Sequence, residues 1–181
     1  HHECICNDVK VLDDAFGIKH GFMTTIHAYT NTQVLLDVEC KDLRRSRAAA
    51  LNIIPTTTGA SKMVGKLLPN LAGKIQAIAV RVPVATVSLI DFVFTAKTKL
   101  TPVKINNAFK RAAQKSMKGI VDVCNEPLVS SDYIGNPYSV VIDSMITEVY
   151  KDTAKVFGWY DNEWGYSERL KDFLLYINKH K

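Results

Sequence analysis

The sequence predicts an α+β fold built around a mixed, largely antiparallel sheet. Four short segments rich in Val, Ile, Phe and Tyr follow one another in the second half of the chain, separated only by turn residues. A run of strands with no helix between them favours antiparallel pairing. The sequence contains neither a Gly-x-Gly-x-x-Gly motif nor a strand-helix-strand unit for a dinucleotide, so we expect no Rossmann domain within it.

The composition indicates a globular protein that is not embedded in a membrane. Its 181 residues are 47% hydrophobic, which is enough for one well-filled core. No apolar run reaches the length of a membrane span, and the first residues lack the order of a signal peptide, so we expect a soluble protein. The four cysteines show no Cys-x-x-Cys spacing and indicate reduced thiols in the cytoplasm. The net charge of +5 permits anionic partners but does not indicate nucleic acid.

The first part of the chain is predicted to contain a helix, a strand and one long loop. Apolar positions spaced three and four apart, followed by Gly17, predict a helix that ends at about residue 16. A strand is expected to start at Ile18 and to end near His27. Residues 30–47 mix charged side chains with Val34-Leu35-Leu36 and have no steady period, so we expect an irregular loop whose apolar triplet is buried.

Three further elements are predicted between residues 48 and 96. An apolar segment ends at Pro55, and a helix is expected after Gly59. Residues 74–82 alternate as a strand, with Arg81 as the odd residue on an apolar face. Residues 87–96 are largely apolar on both sides and predict a central strand covered by helices. The apolar stripe expected on the helix after Gly59 consists of Met63, Leu67 and Leu68.

One helix, four strands and a terminal helix are predicted after residue 100. Thr101 as the N-cap and Pro102 as the first helical residue begin a helix that runs to about Met117, with a stripe at Ile105, Ala108, Phe109 and Ala112. Strands are expected at residues 120–124, 139–143, 148–150 and 155–160. The terminal helix begins near Trp164, and its apolar stripe is formed by Leu170, Phe173, Leu174 and Ile177.

Two positions suggest chemistry from their residue types alone. His27 is followed by the hydroxyl of Thr30 and by a segment with Lys41, Arg44, Arg45 and Arg47, an arrangement suited to an anion beside a titratable base. The alternative is a satisfied core histidine, the commoner use of a lone His among apolar residues. Thr58 and Gly59 stand at a helix N-terminus, where free N–H groups and the helix dipole favour a phosphate. An ordinary hydroxyl cap explains them equally well.

Five motifs occur in the order and spacing of one known family. They are TTIHAYTN at 24–31, DLRR at 42–45, IPTTTGA at 54–60, VRVP at 80–83 and WYDNEWGYS at 159–167. Together they resemble the catalytic half of phosphorylating glyceraldehyde-3-phosphate dehydrogenase, and the similarity extends from about Lys10 to the C-terminus. Several such motifs in order leave little room for chance. The resemblance implies a mixed sheet with helices on one face and without the Rossmann domain.

The resemblance implies a base and a first phosphate site. His27 is similar to the family's base, which pairs with a cysteine thiolate and relays a proton as hydride leaves. A neighbouring imidazolium lowers the pKa of such a thiol and makes the nucleophile abundant at neutral pH. Arg81 and Thr30 resemble the ligands of the substrate's own phosphate, a role that would explain why Arg81 interrupts an apolar face.

A second phosphate site and a cofactor contact are implied in the same way. Thr58 and Gly59, with Arg45 nearby, resemble the site of the attacking inorganic phosphate. Asn162 is similar to the residue that fixes the nicotinamide carboxamide, with Tyr166 close by. The implied cofactor is NAD. NADP is not excluded, because the choice is largely made in a nucleotide-binding domain that this sequence lacks.

The family likeness also implies a domain division and an assembly. Residues 1–166 would form the catalytic and tetramerisation domain, and residues 167–181 a C-terminal helix that packs with the missing nucleotide-binding domain. The loop from Tyr29 to Arg47 is implied to lie against cofactor and partner subunits in a homotetramer. This loop departs from the family at Thr32, where Asp is common, and at Glu39-Cys40, where Pro-His is usual.

The family's nucleophile is predicted to lie just before this chain. Its motif, Ser-Cys-Thr-Thr-Asn-Cys-Leu-Ala-Pro, leads into a helix that ends like Lys10-Val11-Leu12. Aligning the two helices places the second family cysteine on Cys4 and the nucleophile four residues earlier, before His1. Cys6-Asn7-Asp8 stands where Ala-Pro-Val is usual, so the first nine residues match poorly. We therefore expect the chain alone to be catalytically inactive.

Three functions stay open at the level of the sequence. The leading interpretation is a fragment of a glycolytic oxidoreductase that converts glyceraldehyde 3-phosphate, phosphate and NAD to 1,3-bisphosphoglycerate and NADH through a cysteine thioester. The second is an erythrose-4-phosphate dehydrogenase, in which a hydrolysed acyl intermediate leaves little need of inorganic phosphate. The third is a non-catalytic anion- or RNA-binding or assembly module that uses the basic loop.

Overall fold

The computed structural model describes the backbone of residues 2–180 and the side chains of residues 6–180. The helices are α1 His2–Phe16, α2 Ala60–Leu67, α3 Pro102–Gln114 and α4 Trp164–Lys179. The strands are β1 Ile18–Ala28, β2 Ile54–Thr56, β3 Ile75–Val82, β4 Ser88–Ala96, β5 Val121–Cys124, β6 Val140–Asp143, β7 Glu148–Tyr150 and β8 Thr153–Tyr160. Short 3₁₀ helices lie at Ala49–Leu51, Pro69–Leu71, Ser130–Tyr133 and Ser144–Ile146.

The eight strands form one mixed sheet. Seven of them lie in the order β2-β3-β1-β4-β8-β6-β5, and β7 pairs with β8 at the side of this path. The pairs β1 with β3 and β5 with β6 are parallel, whereas the remaining pairs are antiparallel. The expected mixed, largely antiparallel sheet is thus confirmed. The connection from β1 to its parallel neighbour β3 contains the long loop, β2 and α2.

The main core lies between one face of the sheet and helices α1, α2 and α3. Alternate residues of each strand point to the same face, and the helices contribute their apolar stripes to that face. The largest fully buried side chains of this core include Leu12, Met23, Ile75, Ile90, Phe92, Phe94, Ile105 and Phe109. The expected placement of helices on one face is therefore confirmed.

Strand β4 is central, as predicted, but helices cover only one of its faces. Ile90, Phe92 and Phe94 are fully buried, whereas the alternating positions from Leu89 to Thr95 are half-buried. On that second face the carboxylate of Asp91 forms an ion pair with Nζ of Lys155 in β8 at 3.0 Å. The expected cover of helices is therefore present on one face only, because Asp91 and Thr95 lie on the half-buried face, while Ser88 lies on the buried one.

Two helices differ from the predictions, α3 in the residue where it ends and α2 in the residues that it buries. Helix α3 ends at Gln114, three residues before the expected Met117, because Lys115 leaves helical geometry with ψ of −97°. The stripe expected on α2 is confirmed in part. Met63 and Leu68 are half-buried against the core, but Leu67 is 58% exposed, and the fully buried positions are Ala60 and Val64. A two-turn helix buries only the positions one turn apart that face the core, and a spacing of three and four does not identify them uniquely.

Two apolar segments are exposed on the described chain. Leu35 and Leu36 are 88% and 75% exposed, so the expected burial of this triplet was wrong for the single chain. The loop that carries them forms only an isolated parallel bridge between Val34 and Ala48. Helix α4 was predicted correctly as a helix, but its stripe residues Leu170, Phe173, Leu174 and Ile177 are also exposed. No helix in residues 2–180 is long and apolar enough to cross a membrane.

Candidate active site

Four strand ends meet at one edge of the sheet. Strand β1 is parallel to β3, so His27 at the end of β1 lies opposite Arg81 at the end of β3. Strand β4 runs antiparallel to both β1 and β8, and its first residue, Ser88, lies opposite Tyr160 at the end of β8. The sheet therefore brings together residues that are far apart in sequence. This edge is where the residues of the first, fourth and last family motifs converge.

His27 is a buried side chain with two close polar neighbours. It is 4% exposed, and its Nδ1 lies 2.6 Å from the carbonyl oxygen of Ala28 and 2.6 Å from Nη1 of Arg81. A guanidinium nitrogen can only donate. If Nδ1 accepts from Arg81, the ring proton is on Nε2, and if Nδ1 donates to Ala28, Arg81 satisfies the same carbonyl at 3.0 Å. Each neutral tautomer thus forms one of the two contacts of Nδ1 as a hydrogen bond, and neither forms both.

The environment of His27 disfavours the imidazolium. Burial lowers its pKa from 6.5 to about 4, with a contribution from the positive charge of Arg81 and against the effect of the Ala28 carbonyl. Protonation would place two cations in contact in a poorly solvated site. The ring of Tyr160 forms an edge-to-face contact with the imidazole, with 6.0 Å between ring centroids and 79° between planes. At neutral pH His27 is therefore an oriented, uncharged imidazole.

Arg81 carries the positive charge nearest to His27. Its Nη1 is used within the protein, as described, whereas its Nε is buried and has no hydrogen-bond partner in the described part of the chain. Burial lowers the pKa of Arg81, and the nearby charge of Arg45 acts in the same direction. A guanidinium remains charged at neutral pH in spite of this. Arg45 and Arg81 thus form a region of positive potential suited to an anion.

Arg45 is held where the long loop meets the short edge strand β2. Its Nε and Nη2 donate to Oγ1 of Thr56 at 3.0 and 2.8 Å, and its Nε pairs with Asp42 at 3.3 Å. Thr56 is opposite Ala79 of β3, two residues before Arg81. Arg45 therefore reaches the edge of the sheet near Arg81 through a fixed contact.

Thr58 and Gly59 lie where α2 begins. Gly59 is the N-cap residue, and Oγ1 of Thr58 accepts from the backbone N–H of Ala60 at 3.3 Å. The Thr58 hydroxyl therefore occupies the first N–H of α2, although the N-cap residue, Gly59, makes no side-chain cap. Beside it is a cavity of about 490 Å³ whose lining includes Arg44, Thr58 and Lys62. This hydrogen bond and an anion site are compatible, because one N–H is satisfied and the helix start still faces a cationic cavity.

Thr30 is not joined to Arg81. It follows β1 by two residues, and its hydroxyl is engaged within its own turn, at 3.2 Å from Oε1 of Gln33 and 3.0 Å from Oγ1 of Thr32. Its backbone N–H also donates to Gln33 at 2.9 Å. The structure thus brings together His27 and Arg81, but it does not place a hydrogen bond between Arg81 and Thr30 among the described residues.

Asn162 and Tyr166 lie on either side of the start of α4. Asn162 is 6% exposed, and its Oδ1 accepts from Oγ of Ser88 at 3.4 Å while its Nδ2 donates to Glu163 at 3.3 Å. Tyr166 is 49% exposed in the first turn of α4. The two residues are one helical turn apart, and only Asn162 is held by neighbouring side chains.

Asp161 fixes the start of α4 relative to the sheet. Its carboxylate accepts from the backbone N–H groups of Glu163, Trp164 and Gly135 at 2.9, 3.0 and 2.8 Å. Burial opposes ionisation of Asp161, but these hydrogen bonds outweigh it and lower its pKa. Tyr160, Asp161 and Asn162 are consecutive and have three different contacts, to His27, to α4 and to Ser88.

Three participants in this geometry were missed from the sequence. Tyr160 was identified only as a strand end, and Ser88 and the carbonyl of Ala28 were given no role. The alternation in β8 places Tyr160 on its buried face. That signal is present in the sequence, but the strand register that puts Tyr160 beside His27 is not.

The structure describes the side chains of three of the four cysteines. The side chain of Cys4, expected one helical turn beyond the attack position, lies outside the described residues. Cys6 is 7% exposed and packs in the main core. Cys40 is exposed, Cys124 is half-buried, and no disulfide joins the three described cysteines. Residues 2–180 contain no described group of three His, Cys, Asp or Glu side chains placed to hold a metal ion.

Comparison with known protein families gives an independent match. The protein-family model described as "Glyceraldehyde 3-phosphate dehydrogenase, C-terminal domain" matches residues 2–162. This range contains every strand of the sheet and the three helices that cover it. Helix α4 lies entirely beyond the match.

Curated relatives agree with the family match. Glyceraldehyde-3-phosphate dehydrogenase 2 of Bacillus subtilis is 54% identical over 96% of this chain and 52% of its own length. Glyceraldehyde-3-phosphate dehydrogenase of Mycobacterium tuberculosis (strain H37Rv) is 51% identical over 97% of the chain and 52% of its own length. A chloroplastic relative from Arabidopsis thaliana is 54% identical over 93% of the chain and 43% of its own length. The chain thus spans about half the length of these relatives.

Proposed function

The chain belongs to the glyceraldehyde 3-phosphate dehydrogenase family, as its C-terminal domain, and from this premise we propose that it is the catalytic half of a phosphorylating, NAD-dependent enzyme. The complete protein would oxidise glyceraldehyde 3-phosphate in glycolysis and transfer the acyl group from a cysteine thioester to inorganic phosphate. The contact between His27 and Arg81 carries the proposal. It places a buried neutral base next to a cation with an unused buried donor.

His27 would act as the base of this reaction. A neutral imidazole can accept the proton of a thiol, return it to the aldehyde oxygen as the thiolate adds, and accept it again from the resulting hydroxyl as hydride leaves. A pKa of about 4 describes the ring in this chain alone. A cysteine thiolate supplied before His1 would favour the imidazolium electrostatically and raise that pKa. Bound NAD would supply the hydride acceptor.

The cationic groups would hold the two phosphates. Arg81 would bind the phosphate of the aldehyde through its unpartnered Nε, and Thr30 would join it after its turn with Gln33 rearranges. Thr58 and Gly59 would bind the inorganic phosphate at the start of α2, with Arg45 near. The cavity beside α2 supports this second site, because its lining includes Arg44, Lys62 and the hydroxyl of Thr58, beside Asp42 and apolar side chains.

Asn162 would hold the nicotinamide carboxamide, with Tyr166 beside it. The ordering of Asn162 by neighbouring side chains supports this assignment. NAD is proposed from the family, and NADP stays open. Residues 167–181 would pack with the nucleotide-binding domain, and residues 1–166 would form the catalytic and tetramerisation domain. The exposed apolar stripe of α4 supports this division, because such a surface is normally covered.

The loop from Tyr29 to Arg47 would contribute to a homotetramer. Leu35 and Leu36 are almost fully exposed on the single chain and would be covered by a partner subunit. We place the protein in the cytoplasm, which agrees with the absence of disulfides among its described cysteines. Alone, the chain would lack activity, because the nucleophile and most of the cofactor site belong to the missing half.

The two alternative functions have less support. An erythrose-4-phosphate dehydrogenase is separated from the leading proposal by its small need for inorganic phosphate. For an RNA-binding module, the basic loop should offer unpaired cations. Instead, Arg47 pairs with Asp37 at 2.9 Å and Arg45 with Asp42 at 3.3 Å, which reduces the positive charge available to a polyanion.

The test is a fusion of the amino-terminal half of the Bacillus subtilis relative to this chain, called the fusion below. That half would supply the nucleotide-binding domain and the cysteine segment expected before His1. We expect NADH to form from glyceraldehyde 3-phosphate only when inorganic phosphate is present, and no NADH from the chain alone. Turnover that does not depend on phosphate would favour the erythrose-4-phosphate enzyme. A folded fusion that binds NAD and makes no NADH would contradict the proposal.

A further inference from the structure

Ala28 joins two parts of the site that have been described separately. Its carbonyl accepts from Nη1 of Arg81 at 3.0 Å and lies 2.6 Å from Nδ1 of His27. Its N–H donates to Oγ of Ser88 at 3.2 Å. One peptide unit thus connects the base and the cation to a side chain on the neighbouring strand.

Ser88 continues this connection to Asn162. Its hydroxyl has a single hydrogen, which it donates to Oδ1 of Asn162 at 3.4 Å, while its lone pairs accept from Ala28. Ser88 is 2% exposed, and its backbone is fixed by pairing with Tyr160 in β8. A buried hydroxyl in a rigid strand that bonds on both sides has little freedom to rotate.

The bonds to Ser88 and Glu163 together orient the Asn162 amide. Oδ1 is directed at the Ser88 hydroxyl, and Nδ2 is directed to the other side, where it meets Oε1 of Glu163. Without the hydroxyl, the amide oxygen would lose its partner, and the bond to Glu163 alone would hold the side chain. The chain Arg81, Ala28, Ser88 and Asn162 therefore links the cationic edge to the amide by fixed hydrogen bonds.

We propose that Ser88 is a positioning residue that holds the Asn162 amide in register with His27, and so orients the nicotinamide ring over the carbon that is oxidised. This inference rests on the proposed function, because it assumes that Asn162 contacts the cofactor. Ser88 itself is buried, so we expect it to act through Asn162 and not by contact with substrate or cofactor. Its loss should therefore affect the cofactor and leave the phosphate contacts of the aldehyde intact.

The experiment compares variants of Ser88 in the fusion. In Ser88→Ala we expect the Michaelis constant for NAD to rise about tenfold, the factor given by loss of a hydrogen bond worth about 1.4 kcal/mol. The constant for glyceraldehyde 3-phosphate should stay within about twofold. Ser88→Thr keeps the hydroxyl and should recover most of the NAD affinity. Ser88→Cys nearly preserves the volume, replaces the hydroxyl by a weak donor and should resemble Ser88→Ala if the alanine variant folds poorly.

A matched control lies on the same strand. Thr95 is near the other end of β4, where its hydroxyl is 3.2 Å from that of Thr153. Thr95→Val removes a hydroxyl from β4 without reaching Ala28 or Asn162, so it should leave both constants unchanged. A general loosening of the strand would instead affect Thr95→Val and Ser88→Ala alike.

Calorimetric titration with NAD measures the dissociation constant for NAD, and so tests the inference on Ser88 independently of the proposed activity. If the fusion binds NAD but makes no NADH, the proposed activity fails, and the dissociation constants for NAD still test Ser88. An NAD affinity of Ser88→Ala and Ser88→Cys within twofold of the parent fusion would overturn the inference. Equal losses for NAD and the aldehyde would overturn it as well, and a parent fusion that does not bind NAD would overturn both.

Discussion

Arg81 lies opposite His27 in the parallel ladder of β1 and β3, and the guanidinium Nη1 is 2.6 Å from the imidazole Nδ1. Parallel pairing makes this contact possible, because it places the ends of two strands side by side after a long connection. Such a contact between a cation and a titratable base is costly unless the base stays neutral. Four predictions follow from this site and from the buried carboxyl of Asp8.

Loss of the imidazole should abolish most of the turnover of the fusion. In His27→Asn we expect turnover to fall by about 10² to 10⁴, the usual contribution of a positioned base. His20→Asn is the matched control, because His20 is an exposed residue of the same strand. NADH absorbance measures both variants. Turnover of His27→Asn within threefold of the parent, with an intact fold, would remove His27 from the mechanism.

Loss of the guanidinium should act on the phosphorylated substrate. Arg81→Leu should weaken use of glyceraldehyde 3-phosphate far more than use of unphosphorylated glyceraldehyde, because a charge-assisted contact would be missing only for the former. The ratio of kcat/KM for the two aldehydes is the measurement. Arg111→Leu, at an exposed position of α3, should leave this ratio unchanged. An equal effect of Arg81→Leu on the two aldehydes would refute the assignment.

The protonation of His27 should follow its burial and the charge of Arg81. An NMR titration of the chain should give a pKa of about 4 for this imidazole. Because this value is below the 6.5 of the unfolded chain, the contribution of His27 to the free energy of unfolding is fully present above pH 6.5. It is lost as the pH falls from 6.5 towards 4. Arg81→Leu should raise the pKa, and an unchanged value would mean that burial alone determines it.

Asp8 should destabilise the chain at neutral pH. It is 1% exposed, its Oδ1 has no hydrogen-bond partner among the described residues, and burial raises its pKa well above the ordinary value. Its Oδ2 is 3.2 Å from the position a Cβ would take on Gly158 of β8, so the carboxyl faces the sheet. We expect Asp8→Val to raise the free energy of unfolding at pH 7 by about 1–3 kcal/mol in urea titrations.

The pH dependence and a control identify the cause of this effect. A folded pKa above 3.8 means that the stability due to protonated Asp8 is full below pH 3.8 and is lost as the pH rises through the folded value. The gain from Asp8→Val should therefore grow with pH. Asp14→Val changes an exposed Asp of the same helix, paired with Lys10, and should not stabilise. A destabilised Asp8→Val would show that the carboxyl has a favourable role.

The strands could be predicted from the sequence because one face of the sheet is buried. Alternation in β3 and β8 is visible in single residues, and Arg81 was recognised as the odd member of its face. The local pattern also placed His27 at a strand end. What it could not supply was the register between strands, which decides that His27 meets Arg81 and Tyr160. Register depends on residues far apart in sequence, and one sequence does not reveal those pairs.

The second limit of the sequence-based prediction was the choice of apolar residues that the single chain buries. Leu35 and Leu36 were expected inside because they are apolar, but on the single chain both side chains are exposed. The error on Leu67 is of a different kind. A helix of two turns buries few residues, so a single buried residue determines which side faces the core. In α2 that residue is Val64. Local composition does not distinguish a residue buried by its own chain from one left for another surface.

The bonds of Asp161 make the start of α4 a pivot. A helix of 16 residues is about 24 Å long, and two backbone N–H groups at its near end, those of Glu163 and Trp164, donate to a carboxylate that also accepts from Gly135 of a preceding loop. A displacement of the far end of α4 would therefore move the near end much less. We expect the amide of Asn162, next to this carboxylate, to keep its place relative to the sheet when the helix tilts.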